Sequence, residues 1–210
     1  LYIRSQIIPL RMLVAYAGHV KQQGDEAWLG HLTPLIKSFC TERSFLMVSE
    51  ALQVLGGMGY TQDGVIEQYL RDVRITMIYE GTNGIQALDL VGRKLLKDQG
   101  KSLQDLVKQL RSLKTDEPIH SMVNESADFL EKSMVFMAKE GLGDPVLVLS
   151  GASDFLRLFG FVMCSYMWAK RQPFLKSHEQ IELQFYVDYI HPEARVCYER
   201  LVNNHWSKYL

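Results

Sequence analysis

Ala51-Leu-Gln-Val-Leu-Gly-Gly-Met-Gly-Tyr60, Glu67-Gln-Tyr-Leu-Arg-Asp72 and Ile78-Tyr-Glu-Gly-Thr-Asn-Gly-Ile-Gln86 follow one another closely along the chain. Their reading decides the fold. An apolar helical stretch runs into paired glycines, which offer the positive φ that stops a helix. A second amphipathic run, Val65 to about Thr76, then leads into the short corner Ile78 to Gly81, and Thr82 stands where a helix cap is wanted. Exposed corners between rigid elements more often carry chemistry than packing. Helical spacing dominates on both sides of this region and no alternating segment calls for a sheet, so the expected fold class is all-α.

Working outward, Ile3, Ile7, Leu10, Val14 and Ala17 lie at helical spacing. They predict an opening helix to about Gln23, with Pro9 either kinking it or marking its start, and with Gly24-Asp25 at its end. Thr33-Pro34 reads as the start of a long helix, because Thr accepts a hydrogen bond from an orphan N–H and Pro at the first position forfeits none. Leu35, Phe39, Leu46 and Val54 are expected on its buried face, and Gly56-Gly57 at its stop. After a loop from Tyr60 to Gly64 and the helix from Val65, Thr82 caps a run through Ile85, Leu88, Val91 and Leu95.

The polar break Lys97-Asp-Gln-Gly100 marks an expected boundary between a unit spanning 1–99 and another spanning 100–210. Beyond it, Asp116-Glu-Pro118 starts a helix to Glu140. Gly141-Leu-Gly143 stops it, and Asp144-Pro145 starts a segment closed by Gln172-Pro173. Ser177 with Gln180 has capping-box spacing, and Pro192 breaks or bends the final helix. Phe129, Met134, Phe155, Phe159, Met163, Met167, Phe185 and Tyr189 recur at helical intervals and read as core of a second helical bundle.

The 210 residues carry 23 basic and 24 acidic side chains, a formal net charge of -1. That balance provides no field for nucleic acid or an anionic bilayer. No apolar run approaches the length of a membrane span. Cys40, Cys164 and Cys197 are odd in number and lack metal spacing, as expected of buried free thiols in a reducing compartment. Histidines 19, 31, 120, 178, 191 and 205 show no ligand spacing, so no metal is expected. The chain opens at Leu1 already in helical register, which reads as a fragment.

From about Ala51 to Leu96 the order of glycines, Arg71-Asp72 and an isolated carboxylate resembles, without a gap, the carboxy-terminal signature of flavin-dependent acyl-CoA dehydrogenases. More weakly, residues past Gly100 resemble the additional helical domain of some longer members. The resemblance implies FAD as cofactor, an acyl-CoA thioester as substrate and α-proton abstraction with β-hydride transfer to flavin. It also implies an electron-transfer flavoprotein as acceptor, a homo-oligomer (dimer or tetramer), and a bacterial cytoplasm or mitochondrial matrix. This segment alone would lack most of the flavin platform and be inactive.

Residue by residue, the resemblance makes Glu80 the base, its own N–H a donor to the thioester oxygen, and Gly81 a substrate neighbour. Thr82, Asn83 and Gly84 match a segment that touches FAD, while Gln53, Val54, Leu55, Gly56 and Gly57 match one reaching FAD held by a neighbouring subunit. Glu80 lies among Ile75, Met77, Ile78 and Tyr79, and an apolar pocket there would favour proton acceptance. Taken singly, each has a plainer reading: a solvated surface carboxylate, a helix cap, a Gly-Gly stop. Arg71-Asp72 reads as structural. Two other readings stay open, an acyl-CoA oxidase, or a non-catalytic helical relative such as the DNA-damage-response members.

Overall fold

Every regular element among residues 1–203, which the computed structural model describes, is helical. In order these are α1 (Tyr2–Gln23), α2 (Glu26–Leu35), a π-helical turn (Ile36–Cys40), α3 (Thr41–Val54), α4 (Gly57–Tyr60), α5 (Ile66–Ile75) and α6 (Asn83–Asp89). A second π-helical turn (Leu90–Lys94), α7 (Leu95–Asp98), α8 (Lys101–Ser112), α9 (Ile119–Gly141) and α10 (Pro145–Ser150) follow. The described chain ends with α11 (Ala152–Arg171), a 3₁₀ turn (Gln172–Phe174), α12 (Ser177–Phe185), a third π-helical turn (Tyr186–Ile190) and α13 (Glu193–Val202). His205 lies outside the described residues.

Several boundaries differ from those expected. The second helix starts at Asp25, whose carboxylate accepts the Trp28 N–H at 3.0 Å; Thr33 instead turns its hydroxyl back onto the Leu29 carbonyl at 2.8 Å, and Pro34 sits inside the helix. Of the paired glycines only Gly56 takes positive φ (58°), while Gly57 opens the single turn α4. The segment from Asp144 is broken at Gly151, and Lys176, not Ser177, is the cap of α12, with the Glu179 carboxylate accepting its N–H at 2.8 Å. The last periodic run also misassigns a ring: Tyr189 is exposed and stacks on half-buried Phe185. At the polar break, Gln99 and Gly100 both have positive φ.

Every residue of α11 from Leu158 to Ala169 is buried, Phe159, Phe161, Val162, Met163 and Trp168 among them, and a helix buried on all its faces over such a length has to be surrounded. It is: α1, α2, α6, α9 and α13 all pack on it, and one contiguous core reaches from Leu10 to Leu201. The closest approach is to the first π-helical turn. A Cβ on Gly160 would lie 2.3 Å from the Phe39 ring, so only glycine lets that ring rest on the α11 backbone. There Phe39 meets Phe161 edge-on at 5.0 Å.

Charged groups stitch the same elements. Buried Arg43 on α3 donates to Gln6 Oε1 on α1 at 2.7 Å and in a fork to Glu193 on α13 at 2.6 and 3.1 Å. Arg157 on α11 reaches Glu42 at 2.9 Å. In the core, Ser126 on α9 meets Ser165 on α11 and His191 Nε2, each at 2.9 Å. Burial drives the His191 pKa down to about 4, so the ring is a neutral partner at ordinary pH.

Two outcomes follow from this packing. Gly160→Ala should lower stability by about 1–3 kcal/mol through overpacking, although Ala is the better helix former; an unchanged or higher urea midpoint would show that Phe39 does not rest on α11. Because the folded His191 resists protonation, stability is complete above the unfolded His value near 6.5 and falls as pH drops toward about 4. The shift corresponds to roughly 3 kcal/mol, and urea titrations across this window should show a shallower loss for His191→Gln than for the wild type.

Candidate functional site

The corner between α5 and α6 is built by helix-end hydrogen bonds. Thr76 ends α5 with its hydroxyl donating to the Val73 carbonyl at 2.6 Å, and the N–H groups of Met77, Ile78 and Tyr79 fold back onto Arg74 and Ile75. The Asn83 N–H then closes the base of the corner on the Met77 carbonyl at 3.3 Å. Two residues absorb the reversal at its apex: Glu80 at φ 55° and Gly81 at φ 92°. A left-handed conformation is costly for a residue with a Cβ. Glu80 is held in it while its carbonyl accepts from Gln86 Nε2 at 3.3 Å. The Glu80 N–H meets no acceptor among the described residues.

The expected apolar pocket for the Glu80 carboxylate is not formed by these residues. Glu80 is exposed, and Ile75, Ile78 and Tyr79 are themselves 52%, 46% and 48% exposed. The reason is geometric: apolar side chains splayed around a convex corner cannot enclose one of their own neighbours without a facing surface. Ile85 and Leu88 of α6 also face outward, as do Leu46 and Val54 on α3, which were expected on its buried face. Exposed apolar side chains therefore surround the corner, from Ile75, Ile78 and Tyr79 to Ile85 and Leu88.

Thr82 is the N-cap of α6, accepting from the Ile85 N–H at 3.4 Å. The Asn83 side chain is engaged inward, donating to the Ser38 carbonyl at 3.3 Å, and its N–H is taken by the Met77 carbonyl. Gly84 is exposed, and a methyl group on its Cα would meet nothing within 4 Å. Gln53, Val54, Leu55, Gly56 and Gly57 are also exposed. They lie at the far end of α3, whose 14 residues separate them from the corner by roughly 20 Å at 1.5 Å per residue. The structure thus brings Glu80, Gly81, Thr82, Asn83 and Gly84 together and sets the Gln53 to Gly57 group apart. Arg71 and Asp72 are exposed and join no ion pair among the described residues.

Sequence patterns gave no sign of Lys37. From the first π-helical turn its Nζ donates to the Thr76 carbonyl at 2.7 Å and lies 5.7 Å from the centre of the Tyr79 ring. Desolvation lowers its pKa, and the charge of Glu80 acts in the opposite direction. No spacing rule links residues 37 and 76; a lysine in an apolar helix beside a helix-ending Thr is the only hint available.

Residues 3–96 match the profile of the acyl-CoA dehydrogenase C-terminal domain. This segment belongs to the acyl-CoA dehydrogenase family. The chain is 51% identical over 71 residues to 3-methylmercaptopropionyl-CoA dehydrogenase of Ruegeria pomeroyi, covering 34% of this chain and 12% of that protein. It is 41% identical over 80 residues to the broad-specificity linear acyl-CoA dehydrogenase FadE5 of Mycobacterium tuberculosis (38% and 13%). With the very long-chain specific acyl-CoA dehydrogenase of mouse mitochondria it shares 38% over 76 residues (36% and 11%). The chain thus spans only about an eighth of the length of these three relatives.

Outside the acyl-CoA dehydrogenase segment one constellation has the look of a nucleophile: Ser126 Oγ at 2.9 Å from His191 Nε2, with Glu125 3.5 Å from Nδ1. Ser126 and Ser165 are completely buried and His191 is 3% exposed, so no substrate reaches them and the group is a strut between helices. The thiols are equally quiet, since burial lifts Cys40, Cys164 and Cys197 to about 12. No helix among the described residues is long and apolar enough to cross a membrane.

At Gly81 a Cβ would lie 3.0 Å from Gln86 Nε2 in a backbone that L-residues avoid. Gly81→Ala should therefore cost about 1–2 kcal/mol and quicken amide exchange at residues 77–81 in this chain. Unchanged exchange would mean that the corner does not depend on that conformation.

Proposed function

We propose that residues 1–99 supply the base-bearing corner of an FAD-dependent acyl-CoA dehydrogenase, with 100–210 as an additional helical domain that braces them. The observation carrying this reading is Glu80 at the apex of the α5–α6 corner, inside the matched segment, with an N–H that meets no acceptor among the described residues and exposed apolar side chains around it. Apposed to a second surface, that carboxylate would lose water and gain proton affinity. It would then take the α-proton of the thioester, while the Glu80 N–H donates to the thioester oxygen where negative charge develops.

FAD supplies, when bound, the acceptor for the β-hydride, a task that no side chain performs. The residues present fit such a ligand. Gly56, Gly57 and Gly84 leave open backbone, and Thr82 and Gly84 are exposed beside the base. The separation of Gln53 to Gly57 from the corner suits contact with a neighbouring subunit's FAD, which makes a homo-oligomer, dimer or tetramer, part of the reading. Electron-transfer flavoprotein is the redox partner we assign, and a bacterial cytoplasm or mitochondrial matrix the setting. Nucleic acid is not a partner in this reading, given a net charge of -1.

The test uses the full-length protein loaded with FAD. Under anaerobic conditions butanoyl-, octanoyl-, hexadecanoyl- or 3-methylmercaptopropionyl-CoA should bleach the wild-type flavin, and Glu80→Gln should slow the fastest of these reactions by at least about 100-fold. Undiminished bleaching would remove Glu80 as the base.

A further inference from the structure

The corner carrying Glu80 is attached to the rest of the fold at both of its ends, and both attachments come from the same π-helical turn, Ile36–Cys40. At one end the Lys37 ammonium donates to the Thr76 carbonyl at 2.7 Å, where α5 stops. At the other, the Ser38 carbonyl accepts from the Asn83 side chain at 3.3 Å, where α6 begins. A π-helical turn frees carbonyls from the regular ladder, and Thr41 takes up part of the surplus by donating to the Lys37 and Ser38 carbonyls at 2.7 and 3.0 Å.

Lys37 is the charged member of the pair. It is half-buried, covers the Tyr79 ring, and feels the charge of Glu80 across the corner. A cation over the last carbonyls of a helix stabilises that helix end, and here the helix end is the backbone leading directly into Glu80. Position at the apex matters more than affinity for substrate, because a misplacement of about 1 Å of a reacting group costs roughly 100-fold in rate.

We propose that Lys37 is a positioning residue for the Glu80 base, the active half of a two-point clamp by which the Ile36–Cys40 turn fixes the corner. This rests on Glu80 being the base, and the test separates the two ideas. Lys37→Gln in this chain should speed amide exchange at residues 77–81 at least several-fold while leaving exchange in α11 unchanged. In the FAD-loaded full-length protein it should slow flavin bleaching by about 10- to 100-fold, with the half-saturating concentration of the best acyl-CoA and the flavin content held within about twofold. Lys37→Arg, which keeps a donor and a charge, should restore most of the rate.

Unaltered corner exchange in Lys37→Gln would overturn the clamp, whatever Glu80 does. Faster exchange with an unaltered bleaching rate, or a loss of rate, affinity and flavin together that Arg does not repair, would overturn the positioning role. If Glu80→Gln bleaches normally, the base assignment falls instead, and the exchange experiment alone still decides whether Lys37 holds the corner.

Discussion

The Phe39 ring lying on the bare backbone of Gly160 is the contact on which the rest of the arrangement depends. It presses the Ile36–Cys40 turn against α11, whose residues 158–169 are all buried. Because interiors are packed at near-crystalline density, a turn seated in this way has little freedom to shift. Lys37 and Ser38 belong to that turn, so the corner they hold inherits its position from the core. Rigidity passes from α11 to Phe39, from Phe39 to its neighbours in the chain, and from them to Glu80.

That route explains why residues past 100 matter to a corner at 76–83. Helix α11 comes from the second half of the chain, and the forked Arg43–Glu193 and Arg157–Glu42 pairs fasten α3 to α13 and α11. Arg43 is nearly inaccessible and also serves Gln6, so removing one partner would strand buried polar groups. Most of the surface ion pairs, such as Lys108–Asp105, are exposed and contribute little. The corner itself is left open on its outer side, with Ile78, Tyr79 and Ile85 toward solvent. A rigid corner edged by uncovered apolar side chains is a site with one wall in place.

Much of this was legible in the sequence because local rules govern it. The ends of α1 and α9, the cap at Thr82 and the helix from Val65 depend on residues within a turn of one another. Capping also explains the errors: Thr33-Pro34 carried a start signal, but Asp25 had already nucleated the helix with a better acceptor eight residues earlier. Leu46, Val54, Ile85 and Leu88 fell on apolar faces by periodicity, yet periodicity finds faces, not which of them the described chain covers. The link from Lys37 to Thr76 spans 39 residues, and the Phe39–Gly160 seat joins the two halves of the chain. Neither has a local signal, which is why the corner could be placed from the sequence while the contacts that hold it could not.

The claim that Glu80 is a positioned base is tested most directly by proton exchange uncoupled from oxidation. A 3-thia-acyl-CoA, whose sulfur removes the carbon that would lose hydride, can be incubated in D2O with the FAD-loaded full-length protein and followed by mass spectrometry. Deuterium should enter the α-carbon rapidly with the wild type and at the background rate with Glu80→Gln. Equal incorporation by both proteins would place the base elsewhere and contradict the account.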